Sequence, residues 1–92
     1  MSNVNTPTPE PGVEETTAPK LTYGQKAVGI SFNPSADSAV DRVKQQYANI
    51  IDDMHNLRNT TESPEVKRMA SVAITEAQTA QMWAVKTVTW KD

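Results

Sequence analysis

The sequence has no cysteine and a single histidine among its 92 residues. Without cysteine, neither a disulfide framework nor a zinc site with thiolate ligands can form. A chain of this length buries only a modest share of its surface when it folds alone. Self-association is therefore the first source of additional stability to consider.

Long apolar runs are also missing. No stretch approaches the roughly eighteen apolar residues that a membrane-spanning helix needs. The first twenty residues have neither a basic region nor an apolar run, so we expect no secretory signal or membrane anchor there. We therefore expect a soluble, cytoplasmic protein.

The chain has no excess of positive charge. Residues 21–92 carry eight basic and eight acidic side chains, and the whole chain has a net charge of −2. Because duplex nucleic acid is captured by basic surfaces, this balance disfavours it as a partner. A small anionic ligand remains possible, since it needs only a few local cations.

Proline is concentrated at the start of the chain. Four of the six prolines lie in the first nineteen residues, among Thr, Glu and Asn and almost no large apolar side chain. This composition predicts a disordered tail over residues 1–20 and a folded domain over residues 21–92.

The folded part begins with the segment LTYGQKAVGISFNPSA, residues 21–36. Thr22 and Gln25 have the spacing of a capping box, and Gly29 can end a helix in the left-handed conformation. The segment predicts a short helix followed by a loop.

A longer helix of roughly twenty residues is predicted next by apolar side chains spaced three and four apart. Ser38 and Asp41 repeat the capping-box pattern at its start, and residues 58–62 resemble a connector. The apolar stripe is Val40, Val43, Tyr47, Ile50, Met54 and Leu57.

A second long helix is predicted from Pro64 to about Val88, with Ser63 as N-cap and Glu65 in the first turn. It has two apolar faces. The first is Val66, Ala70, Ala73, Ala77, Ala80, Ala84 and Val88; the second includes Met69, Val72, Thr79, Trp83 and Trp90.

Two apolar faces are more than a hairpin can cover with itself, so the surplus predicts burial between subunits. The fold class is therefore predicted to be all-α. The expected architecture is an antiparallel two-helix hairpin, preceded by a short N-terminal helix and assembled into a homo-oligomer.

Catalytic and metal-binding patterns are weak. Asp52, Asp53 and His55 lie close together in the first long helix and Glu76 in the second, but their spacing matches no metal-binding motif. A solvated helix face is the favoured interpretation. With no nucleophile elbow and no phosphate-binding glycine loop, we expect neither an enzyme nor a metal or other cofactor.

The segment around Tyr23 is the best candidate binding site. Tyr23, Gly24, Lys26 and Gly29 place an aromatic ring, room for close backbone approach and a cation within two helical turns, as a purine nucleotide requires. The pattern alone favours a simpler alternative, in which Tyr23 only packs the short helix onto the hairpin and Lys26 is solvated.

Polar residues on the long helices offer a second candidate. The second long helix has a polar stripe that consists of Arg68, Ser71, Thr75 and Gln78. Such a stripe is ordinarily solvated. In an oligomer it would line an axis and could bind a polar ligand. Lys44 follows Val43, at the edge of the apolar stripe, a position typical of the residues that flank a helical interface.

The strings YGQKAVGISFNPS and RMASVAITEAQTAQMWAVKTVTW resemble the phage anti-CBASS sponge proteins, anti-CBASS protein two. Their hairpin also occurs in a class of phage sponges that inhibit Thoeris. The resemblance covers residues 21–91. It implies a compact hexamer that sequesters cyclic oligonucleotide signals in the cytoplasm of the infected bacterium without hydrolysing them, so that the CBASS effector stays silent.

The resemblance also implies two kinds of pocket. Tyr23 would stack and Lys44 would bind phosphate in a cyclic-dinucleotide pocket between paired subunits, for ligands such as cyclic GMP–AMP. Arg68 and Thr75 would contact cyclic trinucleotides at threefold axes. From the residue patterns we add Gly24 and Lys26 to the first site and Ser71 to the second. A symmetric interface presents each contact more than once, so a neutral chain can bind a polyanion.

Two other functions remain open at this point. The principal alternative is a structural or adaptor hairpin that binds no nucleotide. A metal-dependent phosphodiesterase that uses Asp52 and His55 is the least favoured.

Overall fold

The computed structural model describes residues 20–92 as three helices, α1 (Tyr23–Ala27), α2 (Ser38–Thr60) and α3 (Pro64–Thr89). This part of the chain contains no strand, which confirms the all-α prediction. The tail predicted for residues 1–20 lies, apart from Lys20, outside the described residues. No helix among residues 20–92 is long and apolar enough to cross a membrane.

Helix α1 has the predicted caps. The Thr22 hydroxyl accepts a hydrogen bond from the Gln25 amide at 3.0 Å, and the Gln25 side chain accepts one from the Thr22 amide at 2.9 Å. Gly29 has a φ of 62°, and the Ile30 amide donates to the Gln25 carbonyl at 3.0 Å. This left-handed glycine turn ends α1 after little more than one turn.

The loop of residues 28–37 is fixed to the start of α2. Asn33 Nδ2 donates to the Asp37 carbonyl and to Asp41 Oδ1, both at 3.0 Å. The N-cap of α2 is Asp37, whose carboxylate accepts from the Ala39 amide at 2.9 Å. The prediction of Ser38 as the N-cap was wrong, because Asp37, an equally good capping residue, precedes it by one position.

Helices α2 and α3 form the antiparallel hairpin. α2 continues to Thr60, so most of the predicted connector is helical and residues 61–63 make the turn. The Ser63 hydroxyl caps α3 by accepting from the Val66 amide at 3.2 Å, as predicted. Arg58 contacts Ser71 near the turn, whereas Lys44 faces the same cavity as Val85 at the far end, as antiparallel packing requires.

The core includes only part of the predicted stripe of α2: Val40 is buried, and Tyr47 and Met54 pack against the core. Ile50 and Leu57, which belong to that stripe, are 50% and 42% exposed. The buried residues of α2 face both α1 and α3. The predicted stripe assumed contact with one partner helix. The buried residues are Val40, Lys44, Ala48 and Ile51.

Helix α3 buries Ala70 and packs Ala77 against the core, as predicted, but it also buries Ile74 and Gln81 and leaves Ala80 exposed. The second apolar face is left uncovered by the single hairpin, which confirms the predicted surplus. Its large members are Met69, Val72, Trp83 and Trp90, between 48% and 64% exposed.

Candidate functional site

Gly24 docks α1 directly on the backbone of α2. Its amide donates to Asp52 Oδ1 at 2.6 Å, and a Cβ at this position would lie 2.1 Å from the Ala48 carbonyl oxygen. No side chain fits that space without moving one of the two helices. The neighbouring Tyr23 is thereby held against the face of α2.

Tyr23 stacks on His55. The two rings are nearly parallel, with an angle of 1° between their planes and a centroid separation of 4.0 Å. Tyr23 is nevertheless 41% exposed. We call this pair of rings the Tyr23 platform; the exposed part of the Tyr23 ring offers a surface on which a planar group could stack.

Arg58 lies beside the Tyr23 platform. Its Cζ is 5.7 Å from the centroid of Tyr23, one guanidinium nitrogen donates to Ser71 Oγ at 3.0 Å, and another lies 3.2 Å from His55 Nδ1. Ser71, expected beside Arg68 in a trinucleotide pocket, therefore contacts this site. A guanidinium can only donate, so His55 Nδ1 accepts.

Sequence reasoning missed both His55 and Arg58 as parts of this site. It assigned His55 to a solvated face and Arg58 to a connector. One signal was available: the two residues are three apart, as neighbours on one helix face are. The length of α2, which was underestimated, concealed it.

Lys44 is buried rather than at the edge of a helical interface, and it is only 5% exposed. Its Nζ donates to the Gly29 carbonyl at 2.9 Å and to the Phe32 carbonyl, and it lies 5.6 Å from the Phe32 ring centroid. The expected edge position is wrong because the loop after α1 folds over this side chain. No carboxylate of residues 20–92 lies within 4.0 Å of Nζ.

Within one chain, Tyr23 and Lys44 are not neighbours. Tyr23 contacts His55, which is eleven residues beyond Lys44 on α2 and hence about 16 Å further along the helix axis. Eleven residues are close to three helical turns, so both groups lie on the same face of α2. A cavity of about 230 Å³ opens beside Lys44, between the loop and Val85 of α3.

Arg68 is held by a neighbouring carboxylate on α3. Its guanidinium contacts Glu65 through two hydrogen bonds, of 3.1 and 2.5 Å. The bond lowers the pKa of Glu65 and raises the pKa of Arg68. Thr75 and Lys26, also candidate ligand contacts, are exposed on the single chain.

The weak metal pattern has another explanation in the structure. Asp52 accepts a hydrogen bond from the Gly24 amide, and His55 stacks on Tyr23. Within residues 20–92, no group of three or more histidine, aspartate or glutamate side chains is close enough to hold a metal ion.

A second cavity of about 270 Å³ lies at the end of α3, beside Trp83 and Trp90. Lys86 Nζ is 5.1 Å from the Trp83 ring centroid and 5.9 Å from that of Trp90. Pockets that enclose small molecules usually measure about 300–1,000 Å³. Neither cavity of the single chain reaches that range.

Residues 25–89 match the family model described as Acb2/Tad1, hairpin domain. No curated protein and no solved structure matches the chain. The matched range spans the end of α1, the loop, α2 and all of α3, and thus most of the residues that form the sites above. The chain belongs to the Acb2/Tad1 hairpin-domain family, in agreement with the resemblance noted in its sequence.

Proposed function

We propose that this protein sequesters cyclic oligonucleotide immune signals in the cytoplasm of an infected bacterium without cleaving them. Family membership supports a binding role of this kind. The observation that carries the proposal is the Tyr23 platform, an exposed aromatic ring supported by a stacked imidazole. Such a ring provides a stacking surface for a nucleobase.

The proposed sites are completed where copies of the chain meet, in a hexamer. The two cavities described above, of about 230 and 270 Å³, are smaller than an enclosed ligand requires. The uncovered apolar face of α3 offers a surface for assembly. A cyclic dinucleotide is itself close to twofold symmetric, so a paired interface would present Tyr23 twice, with Tyr23 of one chain near the cavity beside the buried Lys44 of another.

Cyclic trinucleotides are proposed to bind where three copies of α3 bring Arg68, Ser71 and Thr75 around an axis. Glu65 would then compete with the ligand phosphates for Arg68.

We expect Glu65→Gln to raise the affinity for a cyclic trinucleotide and to leave cyclic-dinucleotide binding unchanged, as measured by calorimetric titration. Unchanged or weaker trinucleotide binding would contradict the position of Arg68 in this pocket.

The Glu65 carboxyl also gives this site a direction of pH dependence. Arg68 lowers the pKa of Glu65, so the pair stabilises the fold at pH values above the ordinary pKa of a glutamate side chain. This contribution is lost as the pH falls through the lowered pKa. Both side chains are solvated, so the effect on the free energy of unfolding is small. In an NMR titration, Arg68→Gln should return the midpoint of Glu65 to its usual range; an unchanged midpoint would contradict the pairing.

Calorimetric titration of the full chain with a panel of cyclic di- and trinucleotides tests the proposal. We expect saturable binding of at least one cyclic dinucleotide. Heating the complex and analysing the released ligand by chromatography should return the intact ring. Linear products would identify an enzyme, and no binding across the panel would contradict the proposal.

The alternative is a structural or adaptor hairpin without a nucleotide ligand. The uncovered face with Trp83 and Trp90 favours it, since assembly alone would explain that face. It predicts an oligomer that binds none of the panel.

A further inference from the structure

We infer that Arg58, held by His55 and Ser71, is a phosphate-binding cation of the cyclic-dinucleotide site and is supplied by the chain whose Tyr23 stacks the base. This inference rests on the proposed function. It assigns to the Tyr23 platform a cation of its own, in addition to the more distant Lys44.

The charge of Arg58 is not neutralised by the residues around it. Its two hydrogen-bonding contacts are a hydroxyl, Ser71, and an imidazole, His55. Over residues 20–92, no carboxylate lies within 4.0 Å of its guanidinium. Arg68, in contrast, is already paired with Glu65. A phosphate would thus meet an unpaired cation at Arg58 and would not have to displace a carboxylate.

The position of Arg58 suits a nucleotide whose base stacks on Tyr23. The guanidinium carbon is 5.7 Å from the ring centroid, in a cation–π arrangement with the ring, and the side chain is only partly buried. A phosphate joined to the stacked base through its sugar would come to the edge of the ring, within reach of the guanidinium. Guanidinium groups bind phosphate through two parallel hydrogen bonds, which makes this geometry selective.

The contacts with His55 and Ser71 hold Arg58 in place before a ligand arrives. Ser71 comes from α3 and His55 from α2, so the two helices of the hairpin fix the guanidinium from different directions. His55 also stacks on Tyr23 and therefore couples the position of the cation to that of the ring. Side chains that are already ordered lose less entropy when a ligand binds.

Calorimetric titration of the full-length Arg58→Gln variant with cyclic GMP–AMP, at several sodium chloride concentrations, tests this inference. We expect the affinity to fall by roughly ten- to a hundredfold, the loss typical of a charge-assisted hydrogen bond. The remaining affinity should also depend less on salt than that of the wild type, because the variant lacks a cation that meets the phosphate. If Arg58 only packed against its neighbours, its loss would not change the salt dependence. Arg58→Lys, which keeps the charge, should recover part of the loss.

Arg42→Gln is the matched control, since Arg42 is an exposed arginine of the same helix. It should leave affinity and salt dependence unchanged. Ser71→Ala, which removes a partner of Arg58 and no charge, should weaken binding less than Arg58→Gln and retain the salt dependence. This variant also tests the inference if Arg58→Gln fails to fold.

Wild-type affinity and salt dependence in Arg58→Gln, together with loss of binding in Tyr23→Ala, would overturn the inference and leave the proposed function standing. An equal loss in Arg42→Gln would mean that Arg58 contributes only to the overall electrostatic potential of the protein. That result would also overturn the inference. A wild-type chain that binds no cyclic nucleotide would overturn both.

Discussion

Replacing Tyr23 by alanine is expected to reduce the affinity for a cyclic dinucleotide by at least roughly thirtyfold. Stacking of a base on an aromatic side chain contributes about 1–3 kcal/mol. A twofold symmetric site loses two such contacts, which gives the stated lower bound. The loss should be seen by calorimetric titration, while the mass of the assembly in solution stays unchanged.

Tyr23→Phe is the matched control, because it keeps the ring that stacks on His55 and removes only the hydroxyl. We expect it to bind nearly as well as the wild type. If Tyr23→Ala bound the dinucleotide with wild-type affinity, the simpler interpretation of Tyr23, as a residue that only packs α1 onto the hairpin, would be correct.

Replacing Gly24 by alanine should destabilise the fold by about 1–3 kcal/mol, as other overpacked positions do. The added methyl group would lie 2.1 Å from the Ala48 carbonyl oxygen and 2.9 Å from Asp52 Oδ1. α1 would have to move away from α2, and the hydrogen bond from its amide to Asp52 would be lost. Because Tyr23 precedes this contact, the variant should also lose cyclic-dinucleotide binding. Chemical denaturation and titration measure the two effects.

Gly29→Asn provides a glycine substitution for comparison. A Cβ at Gly29 meets no atom within 4 Å, and asparagine tolerates the positive φ of this position. We expect a smaller loss of stability than in Gly24→Ala, and near-wild-type binding. Equal stability of Gly24→Ala and the wild type would show that α1 is not packed as closely as described.

Local signals in the sequence were sufficient to predict the three helices. The capping box of Thr22 and Gln25, the turn at Gly29 and the start of α3 at Ser63 all depend on residues close in sequence, and all are confirmed. The N-cap of α2 was misplaced by one residue because Asp37 and Ser38 are both good caps.

Tertiary contacts decided what the sequence could not predict. Lys44 follows the pattern of an edge residue, and only the path of the loop over its side chain shows that it is buried. The Tyr23 platform joins residues more than thirty positions apart, through the docking of Gly24 against Asp52. The spacing of residues within one helix cannot reveal such a pairing.

Native mass spectrometry of the full chain mixed with cyclic GMP–AMP tests the central claim most directly, because one spectrum reports both the number of chains and the mass of the bound ligand. We predict a hexamer that carries one intact cyclic dinucleotide for every two chains. A single chain without ligand, or a single chain that holds the nucleotide alone, would contradict the account.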